Sequence, residues 1–100
     1  MTHAVIHQPR VAWDGARAFV RAAAGPQAEQ FALLVLDRLG EETHAQFVDS
    51  RQRLLTGFAA TGGDRYAGDL EAGRWRVRLD DLLQRRPDLI PAVLDLTNIG

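Results

Sequence analysis

Apolar residues recur at intervals of three and four along most of this chain of 100 residues. This spacing gives an α-helix one apolar face, whereas a half-buried strand would alternate apolar and polar residues. The one alternating segment, "WRVRL" at 75–79, lies inside a longer helical period. The pattern therefore predicts an all-α fold.

Glycine and proline set the end of the first predicted helix, which spans about residues 10–24 and stops at Gly25-Pro26. The apolar pattern then stays in phase over 27–60. A glycine inside a helix costs about 1 kcal/mol relative to alanine, so Gly40 weakens this segment without forbidding it. One long helix over 27–60, bent at Gly40, is the preferred prediction, and two helices that split at "LGEE" (39–42) are the alternative.

The C-terminal half of the chain predicts a turn and two further helices. The segment "TGGD" at 61–64 is predicted as a turn, because its glycines permit positive φ angles. A helix over about 64–86 follows and stops ahead of Pro87. A short last helix over about 88–96 is compatible with Pro91 only if that proline lies in its first turn.

These elements predict one helical domain over 10–100, preceded by a flexible N-terminus at 1–9. The helices at 27–60 and 64–86 are expected to form an antiparallel hairpin, because the turn between them is short. The helix at 10–24 is expected to pack across this hairpin, and the short last helix is expected to close one end of it. The predicted core consists of Trp13, Phe19, Phe31, Leu34, Leu39, Phe47, Leu54, Phe58, Leu70, Trp75, Leu79 and Leu82.

The segment "RWRVRLDDLLQRR" at 74–86 is rich enough in arginine to invite comparison with a nucleic-acid-binding strip. Acids are interleaved with its five arginines, however, and from Glu71 to Asp88 five positive and four negative charges sum to +1. Carboxylates that faced a nucleic acid would repel its phosphates. We therefore interpret the segment as a solvated amphipathic helix with Trp75 buried. The ion pairs expected four residues apart on this helix are Arg76–Asp80 and Asp81–Arg85.

Composition narrows the class of protein further. The net charge of −1 disfavours nucleic-acid binding. The chain contains no cysteine, which excludes disulfides, thiolate zinc sites and cysteine nucleophiles and predicts a cytoplasmic protein. The longest apolar run, "FALLVL" at 31–36, is too short to cross a bilayer, so no membrane partner is expected. Every basic residue is arginine, which together with the abundant alanine indicates a GC-rich genome.

Candidate catalytic and metal-ligating side chains are few. Glu41-x-x-His44 has the spacing of half a di-iron site, but such a site needs a second motif, which the sequence lacks. His3 and His7 lie in the segment least expected to be helical. Ser50, the only serine, has no Gly-x-Ser-x-Gly turn around it and is predicted as a small packing residue near the apolar face. The sequence therefore predicts no catalytic, cofactor-binding or metal-binding residue and a protein that is not an enzyme.

Apolar helical faces without a convergent polar site predict a non-catalytic protein–protein interaction or scaffold module. Long amphipathic helices in so short a chain leave apolar surface uncovered, so a homodimer or a partner protein is expected to cover it. The alternative is a small DNA-binding transcriptional regulator with a helix-turn-helix around Gly40. Its recognition helix would expose Gln46, Asp49, Ser50 and Arg53.

Two segments, "VAWDGARAFVRAAAG" at 11–25 and "RWRVRLDDLLQRRPDLIPAVLDL" at 74–96, resemble a group of small alanine- and arginine-rich, all-helical proteins of actinobacteria. The resemblance covers about residues 11–25 and 70–96 and implies a helical domain without an established activity. Pro91 stands where that group has alanine, which leaves the start of the last helix open. The pattern W-x-x-RL-x-x-LL-x-x-x-P-(E/D)-L is matched by Trp75, Arg78, Leu79, Leu82, Leu83, Pro87, Asp88 and Leu89, and the N-terminal part by Ala12, Trp13 and Arg17.

Overall fold

The computed structural model describes residues 8–61 and 66–100, and the regular structure within these ranges is helical throughout. This confirms the predicted all-α fold. No helix in these ranges combines the length and mean hydropathy needed to cross a bilayer. The predicted turn at 61–64 lies outside the described residues from position 62 onward, as does the predicted N-terminal segment up to position 7. The elements are α1 (Gln8–Ala24), α2 (Ala28–Leu39), α3 (Glu41–Thr61), α4 (Tyr66–Arg85), a 3-10 turn (Pro87–Leu89) and α5 (Ile90–Ile99).

The preferred prediction of one helix over 27–60 is wrong, because the chain breaks at Gly40 into α2 and α3. Gly40 has a φ angle of 96°, a left-handed conformation that glycine adopts at little cost because it has no Cβ. Its amide donates to the carbonyl of Leu36 at 3.1 Å, and its carbonyl accepts from the amide of His44 at 3.1 Å. The alternative split at "LGEE" is therefore correct. The apolar phase carries across a break of one residue and cannot reveal it.

Helix α1 lies at the centre of the helix packing and runs antiparallel to α4. Near one end of the pair, the side chain of Gln8 donates to the carbonyl of Asp80 at 3.3 Å, and near the other end Val20 lies beside Gly68. Helix α1 also contacts α2, α3 and α5, whereas α3 and α4 contact each other less extensively.

Helices α3 and α4 are antiparallel neighbours, as expected from the sequence, because Gly57 lies beside Ala67 and Ser50 bonds to Glu71 further along both helices. The most extensive helix packing is nevertheless that of α1 on α4.

Small residues let α1 approach its neighbours closely. Gly15 is buried, and a Cβ atom there would lie 3.0 Å from Leu79 Cδ1 and 3.1 Å from Val93 Cγ1. Ala12 and Ala16 lie on the same side of α1 and have no exposed surface. Larger side chains at these positions would push α1 away from α4 and α5.

Four aromatic rings form the centre of the core where α1, α2, α3 and α4 meet. The ring centroid of Phe19 lies 4.8 Å from that of Trp75 and 5.2 Å from that of Phe31, and Phe31 lies 5.3 Å from Phe47. Tilted and edge-to-face pairs of this kind are favourable beyond the burial of their area. Of the predicted core, Phe19, Phe31, Phe47, Leu54, Trp75 and Leu79 are buried, Leu34, Leu39 and Leu82 are partly buried, and the side chain of Phe58 lies outside the described part.

The core prediction is wrong for Trp13 and Leu70, whose side chains are 37% and 44% exposed. At Trp13 it failed because Ala12 and Ala16 form the buried side of α1, which turns the neighbouring indole toward solvent. At Leu70 it failed because the buried line of α4 starts one residue later, at Glu71. Both errors follow from assigning every large apolar side chain of a helix to its buried face.

Substitution of Gly15 by valine is expected to lower the free energy of unfolding by about 2 kcal/mol, because the added carbons overlap Leu79 and Val93 in a packed core. Gly73 is a matched control inside another helix, since a Cβ there meets nothing within 4 Å. Gly73→Val is expected to change stability by less than about 0.5 kcal/mol. Urea unfolding followed by circular dichroism measures both variants. Equal effects of the two substitutions would contradict the close packing of α1.

Candidate functional site

A half-exposed tryptophan marks the outer surface where α1 meets α4. The guanidinium carbons of Arg17 and Arg76 lie 4.8 and 6.0 Å from the ring centroid of Trp13. Guanidinium groups at such distances are attracted to the electron-rich face of an indole. We call the surface formed by Trp13, Arg17, Leu70, Gly73, Arg76 and Val77 the α1–α4 face.

Apolar residues continue this face along α4. Leu70, Gly73 and Val77 follow one another at intervals of three and four, so they share one side of the helix. Val77 is 61% exposed. Beside these residues, Trp13 and Gly73 line a shallow groove of about 810 Å³, and the missing side chain of Gly73 leaves the groove open at that point. The α1–α4 face thus combines uncovered apolar area with an accessible depression.

The same groove carries an excess of positive charge. Its lining includes the guanidinium groups of Arg10, Arg17 and Arg76 but a single carboxylate, that of Asp14. Arg10 pairs with Asp14 across 3.7 Å, and both side chains are largely in solvent, so the pair is weak. Neither Arg17 nor Arg76 forms an ion pair or hydrogen bond with any residue in the described ranges. Two cations near Trp13 are therefore without an ion-pair partner among the described residues.

A second polar arrangement is buried between α3 and α4. The indole Nε1 of Trp75 donates to Ser50 Oγ at 2.9 Å, and Ser50 Oγ donates to Glu71 Oε1 at 2.7 Å. Arg53 reaches the same carboxylate with two hydrogen bonds of 3.0 Å, and Arg74 adds a third guanidinium contact. Glu71 is only 2% exposed. We call Ser50, Arg53, Glu71, Arg74 and Trp75 the Glu71 cluster.

The hydrogen bonds of the cluster keep its carboxylate ionised. Burial by itself raises the pKa of Glu71, but hydrogen bonds from Arg53, Ser50 and Arg74 and the positive charge of Arg53 outweigh it, so the pKa lies below its ordinary value. The hydrogen bond to Glu71 in turn raises the pKa of Arg53. A carboxylate held in this way is a poor base toward Ser50. Because the hydroxyl of Ser50 is also fully enclosed, the cluster is suited to joining α3 to α4.

Arg78, like Arg17 and Arg76, is an arginine that forms no ion pair or hydrogen bond among the described residues. Within 8–61 and 66–100, its Nη1 is the only buried side-chain nitrogen or oxygen without a hydrogen-bond partner. Its guanidinium carbon lies 5.3 Å from the ring centroid of Trp75. Desolvation lowers the pKa of Arg78, and repulsion from the charge of Arg53 lowers it further. Arg78 and Thr43 line a cleft of about 360 Å³ between α3 and α4.

The structure does not bring the candidate residues of the sequence together. Glu41 is exposed at the start of α3 and His44 is half-buried one turn later. No group of three or more His, Cys, Asp or Glu side chains in the described part of the chain is placed to hold a metal ion. His3 and His7 lie outside the described residues.

Ser50 is fully buried, as predicted for a packing residue, and its hydroxyl bridges Trp75 and Glu71, so the exposure required by the helix-turn-helix alternative is wrong there. Arg53 is exposed, as that alternative requires, but its guanidinium is bound to the carboxylate of Glu71. Asp49 is exposed, and Gln46, half-buried, lines the cleft.

One of the two ion pairs expected on α4 is present. Arg85 contacts Asp81 at 3.3 Å, as the spacing predicts. Arg76 turns toward Trp13 instead of Asp80, whose carboxylate accepts hydrogen bonds from glutamine side chains. Whether Arg76 contacts Asp80 or Trp13 depends on how α1 packs on α4. Spacing along α4 alone therefore cannot predict which contact forms.

Sequence reasoning missed the Glu71 cluster and the exposure of Trp13. Only the phase of Ser50, which places this polar residue at the edge of the apolar face, pointed toward a buried hydrogen bond. Ser50 and Glu71 lie 21 positions apart, so their contact depends on how α3 packs on α4. No regularity within either helix encodes it.

Comparison with protein-family models, with curated proteins and with solved structures yields no match. The geometry of the described residues is therefore the basis on which a function is inferred.

Substitution of Glu71 by glutamine is expected to lower the free energy of unfolding by about 2 kcal/mol at pH 7, because it removes charge-assisted hydrogen bonds to buried and half-exposed partners. The folded-state pKa of Glu71 lies below the ordinary value of 4.5, so its stabilisation is present above pH 4.5 and is lost as the pH falls through the folded-state pKa. The difference between wild type and Glu71→Gln should therefore shrink on acidification.

Urea unfolding at a series of pH values measures this difference. Asp69→Asn, an exposed neighbour on α4, serves as the control and should leave the curve unchanged. A difference between wild type and Glu71→Gln that stays constant down to pH 2 would contradict the ionised, hydrogen-bonded state of the carboxylate.

Proposed function

We propose that the protein is a non-catalytic interaction module that acts in the cytoplasm and binds a partner protein through the α1–α4 face. The observation that carries this proposal is Trp13, half-exposed between two arginines at the edge of an open groove. Tryptophan and arginine are the residues most enriched where single side chains dominate the energy of protein interfaces. An exposed indole so placed has no role in the core.

The face is held in place before any partner binds. Helix α1 packs closely on α4 and α5 through Gly15, and it forms one wall of the aromatic core through Phe19. The indole of Trp13 is further restrained by the guanidinium of Arg17, one turn along the same helix. Binding to a rigid surface loses less conformational entropy than binding to a flexible one.

Charge indicates the chemistry of the partner. Arg17 and Arg76 both lie near Trp13 and have no carboxylate partner among the described residues, so a segment that presents acidic residues beside apolar ones is complementary to the face. A second copy that docked symmetrically would bring these guanidinium groups close to their own equivalents. A partner helix with apolar and acidic side chains therefore fits the face better than a homodimer does.

The alternative, a small DNA-binding regulator, is favoured by the observed break between α2 and α3 at Gly40. Two carboxylates argue against this alternative. Glu41 and Glu42 occupy the first turn of α3, where a recognition helix would approach DNA and where they would repel its phosphates. Arg53, which would contact the phosphates, is bound to Glu71. DNA binding is therefore included as one outcome of the experiment described next.

A synthetic helix with leucine along one side and glutamate beside it is the probe of this proposal. It is expected to shift the indole Nε1 resonance of Trp13 in the isotope-labelled chain, whereas a matched peptide with lysine for glutamate is not. Trp13→Ala should weaken binding about 30-fold, since central interface residues contribute about 2 kcal/mol or more. Leu33→Ala is the control, because Leu33 is exposed on α2 outside the face.

Three results would contradict the proposal as stated. Equal binding of the glutamate and lysine peptides would remove the role of charge. A dimer in analytical ultracentrifugation that Trp13→Ala abolishes would identify a second copy as the occupant of the face. Retention of mixed-sequence duplex DNA at low salt, without a response to either peptide, would favour the regulator.

A further inference from the structure

The cleft between α3 and α4 has the size of a site for a small organic molecule. Its volume is about 360 Å³, and ligand pockets range from roughly 300 to 1,000 Å³. Apolar side chains from α2, α4 and the 3-10 turn contribute to its walls, while Thr43 and Gln46 of α3 supply neutral polar groups. The apolar lining consists of Leu39, Trp75, Leu79, Leu82 and Leu89.

Arg78 gives this cleft an uncompensated cation. Its side chain lines the cleft, and Nη1 is shielded from water without a hydrogen-bond acceptor in the described part of the chain. The face of Trp75 offers partial compensation at 5.3 Å. A buried charge without a hydrogen-bonded counter-charge is unfavourable, so an anion bound beside Arg78 would be stabilised.

The neighbouring charges favour an anion that carries a single negative charge. Arg85 is paired with Asp81 at 3.3 Å and Arg86 with Asp88 at 2.8 Å, and all four side chains are largely in solvent, so both arginines are weaker partners for a bound anion than Arg78. The carboxylate of Glu42 also lines the cleft and would repel a dianion such as phosphate. One guanidinium is thus available for one carboxylate, a pairing whose planar geometry permits two hydrogen bonds.

We infer that the cleft binds a small organic carboxylate with an apolar body, whose carboxylate pairs with Arg78 and whose apolar part lies against the half-buried Leu39, Leu82 and Leu89, with Trp75 directly behind them. This site is separate from the α1–α4 face, because none of the residues that define that face lines the cleft. The carboxylate site and the proposed interaction with a partner protein can therefore be tested separately, and failure of one leaves the other unchanged.

Octanoate is the probe for this site. Titration of the full chain with octanoate is expected to raise the melting temperature saturably, because a ligand that binds only the folded state stabilises it. The same titration should shift the indole Nε1 resonance of Trp75 and leave that of Trp13 unchanged. Octanol tests the apolar contribution alone, octylammonium tests the opposite charge, and inorganic phosphate tests an anion without an apolar body. All three are expected to bind at least tenfold more weakly than octanoate.

Arg78→Met is the decisive variant. It should fold at least as stably as wild type without ligand, because it replaces a half-buried guanidinium, whose Nη1 is enclosed without a hydrogen-bond partner, by an apolar side chain of similar length. Its affinity for octanoate should fall at least tenfold. Arg21→Met, an exposed arginine of α1 outside the cleft, is the matched control and should keep the wild-type affinity.

A second variant keeps the inference testable if Arg78→Met does not fold. Leu82 is half-buried and lines the cleft, so Leu82→Trp should fill the cleft and weaken octanoate binding while Arg78 is retained. An unsaturable response of the wild type, equal binding of octanol or octylammonium, or unchanged affinity of Arg78→Met would each overturn the inference. Tighter binding of phosphate than of octanoate would also overturn it, in favour of an inorganic anion.

Discussion

The buried indole of Trp75 contacts the aromatic core, the Glu71 cluster and Arg78 in the cleft between α3 and α4. Its ring packs against Phe19, its Nε1 donates to Ser50, and the guanidinium of Arg78 lies over it. Because the indole has no exposed surface, water does not compete for these contacts, and each of them is stronger for that reason. Displacing this one ring would loosen α4 from α1 and α3 and would remove a wall of the cleft.

The two tryptophans have opposite environments because of the residues that pack beside them. Small residues around Gly15 bring α1 close to α4 and α5, and this close approach leaves no space for Trp13 between the helices. The indole is therefore on the outside, where Arg17 and Arg76 surround it. The constraint that gives the domain its tight core thus also creates the aromatic, cationic surface proposed to bind a partner.

Local signals in the sequence predicted most of the helices, because they act within a few residues. Gly25-Pro26 ends the first helix, and Pro91 lies in the first turn of the last one, as its missing amide requires. The break at Gly40 was predicted only as the alternative to one long helix, since the apolar phase is the same on both sides of it. The candidate sites depend on contacts between helices, which no periodicity encodes. The exposure of Trp13 and the hydrogen bond from Ser50 to Glu71 both depend on such contacts.

Hydrogen exchange of the two indole Nε1–H groups tests the central claim most directly. In a spectrum recorded after transfer to D₂O, the signal of Trp75 should persist, because its proton is buried and bonded to Ser50. The signal of Trp13 should vanish at once, and Trp13→Phe assigns the two. Rapid exchange of both signals, or a protected signal that disappears in Trp13→Phe, would contradict the account.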